Sequence, residues 1–216
     1  MKRLKGPSDR IDVKTRAFHE AGHTVVAVAR GIPYKHVTLV PRTNRDGGHI
    51  ALDWKEIRTE LRKGNTKLRS SLWVFYHAGV VAQLFYKPES PVIAGNKDFE
   101  ALEGELGSKP LQVFIHDKKA DAYRVRTPAQ IRAALRRRSA CANRTAIRII
   151  AHYWPFVKLI ARALVKNKTL SRTEVDAVVM PAMARFGLSG KDTAAWRQTG
   201  LHQSPANRHG IREQES

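Results

Sequence analysis

The segment from Val13 to Arg30 constrains this chain more than any other. Val13, Ala17, Phe18, Ala21, Val25, Val28 and Ala29 recur at three- and four-residue spacing, which puts them on one face of a helix. Asp12 can accept from the first free N–H groups, and Gly31 can take the left-handed conformation that ends a helix. Inside this helix lies His19-Glu20-Ala21-Gly22-His23. Residues four apart stack on one face, so both imidazoles can reach a common point while Glu20 stands beside it. The flanks are apolar, Ala17-Phe18 before and Val25-Val26-Ala27-Val28 after, which argues for a buried helix rather than two surface histidines.

Neutral imidazole nitrogens suit zinc, and a catalytic zinc site takes three protein ligands with an open position for water. The spacing therefore predicts one Zn²⁺ per chain, held by His19 and His23, with Glu20 as general base. A third ligand has to come from elsewhere, since no histidine follows at short spacing. Composition leaves Glu56, Glu60, His77, Glu89, Asp98, Glu100, Glu103 and His116 open.

Val37, Leu39 and Pro41 alternate with His36, Thr38 and Val40, and a second extended run covers His49 to Asp53. Asn44-Arg45-Asp46-Gly47-Gly48 between them reads as the turn of a β-hairpin. Its glycines could also let an extended substrate approach the metal helix, although a tight turn is the better account of Gly47 and Gly48 themselves. His49 is expected to be an exposed strand residue. Helices are then expected over 55–63 and 67–86, with Trp73-Val74-Phe75-Tyr76 in the core, followed by a loop over 88–95. Asn96 is placed to cap a helix over 97–106, whereas 107–126 gives no clear signal. Thr127-Pro128-Ala129-Gln130 is a capping box with proline at the first helical position, and Pro155 should interrupt the long helix it opens. Ser171-Arg172-Thr173-Glu174 is a second capping box, with its helix ending near Phe186-Gly187.

The chain of 216 residues carries 39 Lys and Arg against 19 Asp and Glu, a net charge of +20. Its 42% hydrophobic content excludes wholesale disorder and a fibrous repeat. The charge favours polyanion affinity without dictating a fold. Basic clusters at Arg58, Arg62, Lys63, Lys67 and Arg69, and at Arg132, Arg136, Arg137, Arg138, Arg144 and Arg148, read first as solvated stripes. Phosphate-backbone contact is their functional counterpart. The single cysteine, Cys141, excludes an internal disulfide and a cysteine-based zinc finger, and fits a reducing cytoplasm. No apolar stretch follows Met1-Lys2-Arg3, and 70–86 is too short and too interrupted to span a bilayer, so a cytoplasmic location with no membrane span is expected.

The run Ala17-Phe18-His19-Glu20-Ala21-Gly22-His23-Thr24-Val25-Val26-Ala27, followed by Lys35-His36-Val37-Thr38-Leu39-Val40-Pro41-Arg42, closely resembles the peptidase domain of the FtsH-type ATP-dependent zinc metalloproteases. His77-Ala78-Gly79-Val80-Val81-Ala82-Gln83 is similar to their L-A-G-R-A-A-E helix. Gly95-Asn96-Lys97-Asp98-Phe99-Glu100-Ala101 is similar to the segment whose aspartate is the third zinc ligand. The resemblance runs over about 14–179 and implies Asp98 as that ligand. It implies zinc-dependent hydrolysis of peptide or protein substrates, compatible with a homo-oligomer. The family's AAA+ module has no counterpart here, since no GxxxxGK[ST] loop occurs. A stand-alone peptidase domain is thus expected, compatible with an ATPase acting in trans.

The expected fold is mostly α-helical, of α+β class: a zincin-like HExxH helix, a small β-hairpin or sheet, and a C-terminal helical bundle. Residues 1–12 are expected to be a flexible N-terminus, 13–188 the metallopeptidase-like domain, and 189–216 a polar, flexible tail. The rival expectation is a weak or inactive metallopeptidase-like module that binds nucleic acid or protein through its basic surface.

Overall fold

The computed structural model describes residues 12–41, 48–90, 114–117, 122–125 and 128–185. The described chain is mostly helical with a small three-stranded antiparallel sheet. Helix α1 covers Val13–Arg30, as its pattern predicts. Asp12 Oδ1 accepts from the Thr15 N–H at 2.8 Å, and Gly31 ends the helix at φ 66°. Every residue from His19 to Val28 is buried. Valines at 25, 26 and 28 are indifferent helix formers, so packing around the whole circumference, rather than propensity, holds this segment helical.

Three helices and the sheet supply that packing. Helix α2 (Trp54–Arg62) is short, capped by Asp53, and buries Ile57 alone. Helix α3 (Thr66–Tyr86), capped by Asn65, lies along α1 and buries Leu72, Phe75, Ala78 and Ala82. Helix α4 (Pro128–His152) opens at the predicted proline and buries Ala146 and Ile150. The chain breaks at Tyr153, and α5 (Trp154–Asn167) carries Pro155 in its first turn, where the missing N–H costs nothing. Helix α6 (Arg172–Arg185) closes the core with Val175, Val179 and Met183. Of Trp73 to Tyr76, the last three are buried and Trp73 packs at the core's edge.

Strands β1 (Tyr34–Thr38) and β2 (His49–Leu52) form the expected hairpin, pairing Val37 with Ile50 and Thr38 with His49. The described remainder adds two features the sequence pattern did not signal. One is a separate antiparallel hairpin, β3 (Phe114–Asp117) with β4 (Ala122–Val125), inside the region that gave no signal. The other is β5 (Thr169–Ser171), which pairs antiparallel with β1 and gives the order β2-β1-β5. A turn through Lys168, at φ 63°, leads from α5 into β5. The second capping box survives beside the strand: Ser171 N–H donates to Glu174 Oε2 at 2.7 Å as α6 begins. The calls on 1–11, 91–113 and 186–216, including the flexible ends and the helix over 97–106, lie outside the described residues. No described helix is long and apolar enough to cross a membrane.

The contact of α1 with α3 is unusually close at Gly22. A Cβ there would stand 2.5 Å from both the Ala78 carbonyl oxygen and the Ala82 Cβ. The obstruction is backbone, which cannot rotate away. Gly22→Ala is therefore expected to lower stability by about 1–3 kcal/mol. In an open helix the same exchange would gain up to about 1 kcal/mol. Urea melts of both proteins check this, and an unchanged or raised midpoint would contradict the packing.

Candidate metal centre

His19, Glu20 and His23 are all buried, at 3%, 6% and 3% exposure, in the middle of α1. Burying polar side chains in a helix is costly unless they have partners, and α3 supplies them for the two histidines. The Phe75 carbonyl oxygen lies 2.8 Å from His23 Nδ1. A carbonyl can only accept, so Nδ1 carries the proton and Nε2 the lone pair. His19 Nδ1 lies 3.3 Å from Gln83 Oε1, and the Gln83 amide nitrogen donates to Ser90 Oγ at 3.1 Å. That second bond orients the amide so its oxygen faces the imidazole, which selects the same tautomer for His19. The two Nε2 atoms then stand 3.1 Å apart.

These features fit a metal. Two nitrogens on one tetrahedral zinc, each about 2.0–2.1 Å away, are separated by about 3.3 Å. Metal-bound histidines characteristically donate their other ring N–H to a carbonyl or carboxylate, which fixes the ring and raises its basicity. The backbone of α3 also makes room. A Cβ on Gly79 would collide with Nε2 of both His19 and His23. Only glycine lets α3 come this near without a side chain filling the point where the imidazoles meet. The Phe75 ring, tilted 37° with its centroid 4.7 Å from that of His23, closes one side.

Glu20 lies one residue from His19 and faces the hairpin. Gly48, at φ 132°, would place a Cβ 2.8 Å from the Thr38 carbonyl oxygen and 3.3 Å from Glu20 Cγ. Glycine is thus required at 48 both by its backbone angle and by the proximity of the strand and the carboxylate side chain. Gly47, its partner in the turn, lies outside the described residues. His49 is not the exposed strand residue its position suggested. It is half-buried, with its ring 6.0 Å from that of His36 across the hairpin.

The open list of third ligands narrows. Glu60 pairs with Lys63 at 2.7 Å, Glu56 sits in the first turn of α2, and Glu89 is exposed. His77 Nε2 lies 3.0 Å from Ser139 Oγ on α4, and burial holds its pKa below the ordinary imidazole value. Among the described residues no group of three His, Cys, Asp or Glu side chains could hold a metal ion. Asp98, Glu100 and Glu103 lie outside the described residues, as does the His116 side chain.

The sequence pattern pointed to the helix but not to its supports. Gln83 and Gly79 were visible as a polar residue and a glycine in an otherwise apolar run, yet nothing local tied them to His19. Two exchanges test those supports. Gly79→Ala is expected to abolish metal uptake while far-UV circular dichroism stays native. Gln83→Leu, which removes the acceptor for His19 Nδ1, is expected to weaken zinc affinity about 10–100-fold. Competition with a chromophoric chelator measures both, and wild-type affinity in either would contradict the geometry. The chain matches no protein-family model and no curated protein.

Proposed function

We propose that this chain is a zinc-dependent peptidase that hydrolyses peptide bonds in peptide or protein substrates. The observation that carries the reading is the convergence of His19 Nε2 and His23 Nε2 to 3.1 Å, on a buried helix that also holds Glu20. A purely structural metal site has no need of a buried carboxylate beside its ligands. The motif resemblance to FtsH-type peptidase domains supports the same reading and supplies Asp98 as the proposed third ligand. The arrangement of the histidine helix against an antiparallel sheet supports a zincin-like core.

His19 and His23 would hold the metal, with their tautomers set by Gln83 and the Phe75 carbonyl. When bound, zinc supplies Lewis acidity, bringing the pKa of a bound water to about 7 and polarising a scissile carbonyl. Glu20 accepts the proton of the attacking water and returns it to the leaving amine. Its burial keeps the carboxylate in a weakly screened setting, which strengthens its interaction with developing charge. Strand β2 is one of the two edges of the three-stranded sheet, and Gly48 brings its start beside Glu20. An extended peptide can add to such an edge through main-chain hydrogen bonds.

Glu20→Gln is expected to retain zinc and to lose casein hydrolysis by about 10²–10⁴-fold, the usual contribution of a general base. Chelation should abolish wild-type activity and zinc should restore it. Cleavage by Glu20→Gln at the wild-type rate would contradict the mechanism. Asp98→Ala should lower zinc retention, and unchanged retention would move the third ligand to Glu100 or Glu103.

A further inference from the structure

Between Ala122 and Thr173 the sequence holds thirteen Lys and Arg and not one Asp or Glu. Nine of the thirteen lie on α4 and α5, so nearly half of the net charge of +20 sits on one pair of helices. On α4 the basic residues are all arginine: Arg132, Arg136, Arg137, Arg138, Arg144 and Arg148. Arg137, Arg144 and Arg148 are exposed. Spacings of seven and four residues return to the same helical face, so the three form one stripe rising about 16 Å along the axis. Of the other exposed residues between Arg137 and Arg148, Ala140 and Cys141 are small and Ile147 is large and apolar. Among the described residues no carboxylate pairs with any of the three; the described ion pairs include Lys63–Glu60, Lys87–Asp12 and Arg172–Asp176.

We propose that this arginine stripe binds the phosphate backbone of duplex DNA without regard to sequence. Guanidinium groups pair with phosphate oxygens through two parallel hydrogen bonds, which a stripe of lysines would not do. A helix that presents a row of arginines on one face can lie along a groove or a phosphate strand of a duplex. Other polyanions fit less well. A bilayer surface calls for a broad apolar face opposite the charge, and Ile147 is the only large apolar side chain exposed on α4 among the described residues. Single strands call for aromatic stacking platforms. The described stripe carries no ring, and the exposed Tyr86 is already stacked on Phe18 at 3.9 Å. The stripe is separate from the histidine pair, so this proposal does not depend on peptidase activity.

The test is fluorescence anisotropy of the full chain with a labelled mixed-sequence duplex of about 20 base pairs, titrated between about 50 and 200 mM salt. Three phosphate contacts contribute about −2.7 to the slope of log affinity against log salt, or about a 40-fold loss over that range. The triple variant Arg137→Ala, Arg144→Ala, Arg148→Ala should flatten the slope by about that amount and bind at least about tenfold more weakly at the lowest salt. A charge-matched control, Lys55→Ala, Arg62→Ala, Lys67→Ala, removes three other exposed bases and should keep the wild-type slope and affinity. Equal weakening in both variants would overturn the proposal in favour of diffuse charge. So would a wild-type chain that ignores the duplex, including one whose stripe instead binds phosphatidylserine vesicles or polyglutamate.

Discussion

The closeness of α1 to α3 is the constraint on which the rest of the candidate site depends. Gly22 faces the Ala78 carbonyl and Gly79 faces the two imidazoles, so each helix presents a glycine where the other approaches. A side chain in place of either glycine would push the two helices apart and draw the Phe75 carbonyl and the Gln83 amide away from the histidine rings. Brought this near, they satisfy both Nδ1 atoms and leave both Nε2 atoms directed at one another. Glu20 is also buried, on the side where Gly48 of the hairpin approaches its Cγ. The tautomers and convergence of the two histidines therefore follow from a single contact rather than from separate adaptations.

The sheet depends on that contact less directly. Its middle strand, β1, is short and gains stability from neighbours on both sides, with Val37 and Leu170 buried against the helices. Thr38 and Thr169 share a 2.7 Å hydroxyl contact across the β1–β5 pair, which fixes the register near the point where Gly48 meets Thr38. The hairpin is thereby held against Glu20 at one end and tied to the C-terminal helices at the other. A segment more than a hundred residues away in sequence thus braces the strand that borders the carboxylate.

What could be read from the sequence was what is local. The bounds of α1, its caps at Asp12 and Gly31, and the Ser171–Glu174 capping box arise from interactions within about four residues, and each appeared where the pattern put it. Strand β5 could not be read in that way. Its three residues carry no periodicity of their own, and only the pairing with β1 makes them a strand. The β3–β4 hairpin was missed for a related reason, having no turn dipeptide to announce it. At the site, the histidines and Glu20 were legible because helical spacing makes them neighbours. Gln83, 64 residues from His19, was seen only as an interruption in an apolar run. His49 went astray because strand alternation says nothing about a second histidine across the hairpin.

Charge and chemistry occupy different parts of the molecule. The histidine pair is enclosed by a carbonyl, an amide, a phenyl ring and glycine, all uncharged, whereas exposed bases crowd α4. None of these four neighbours is a cation that would repel a metal, and the proposal of one zinc per chain is the central claim of this account. It is tested most directly by the zinc content per chain of protein purified without added metal or an affinity histidine tag. A value near one per chain is the predicted result. A value near zero that persists after zinc is supplied would contradict the account.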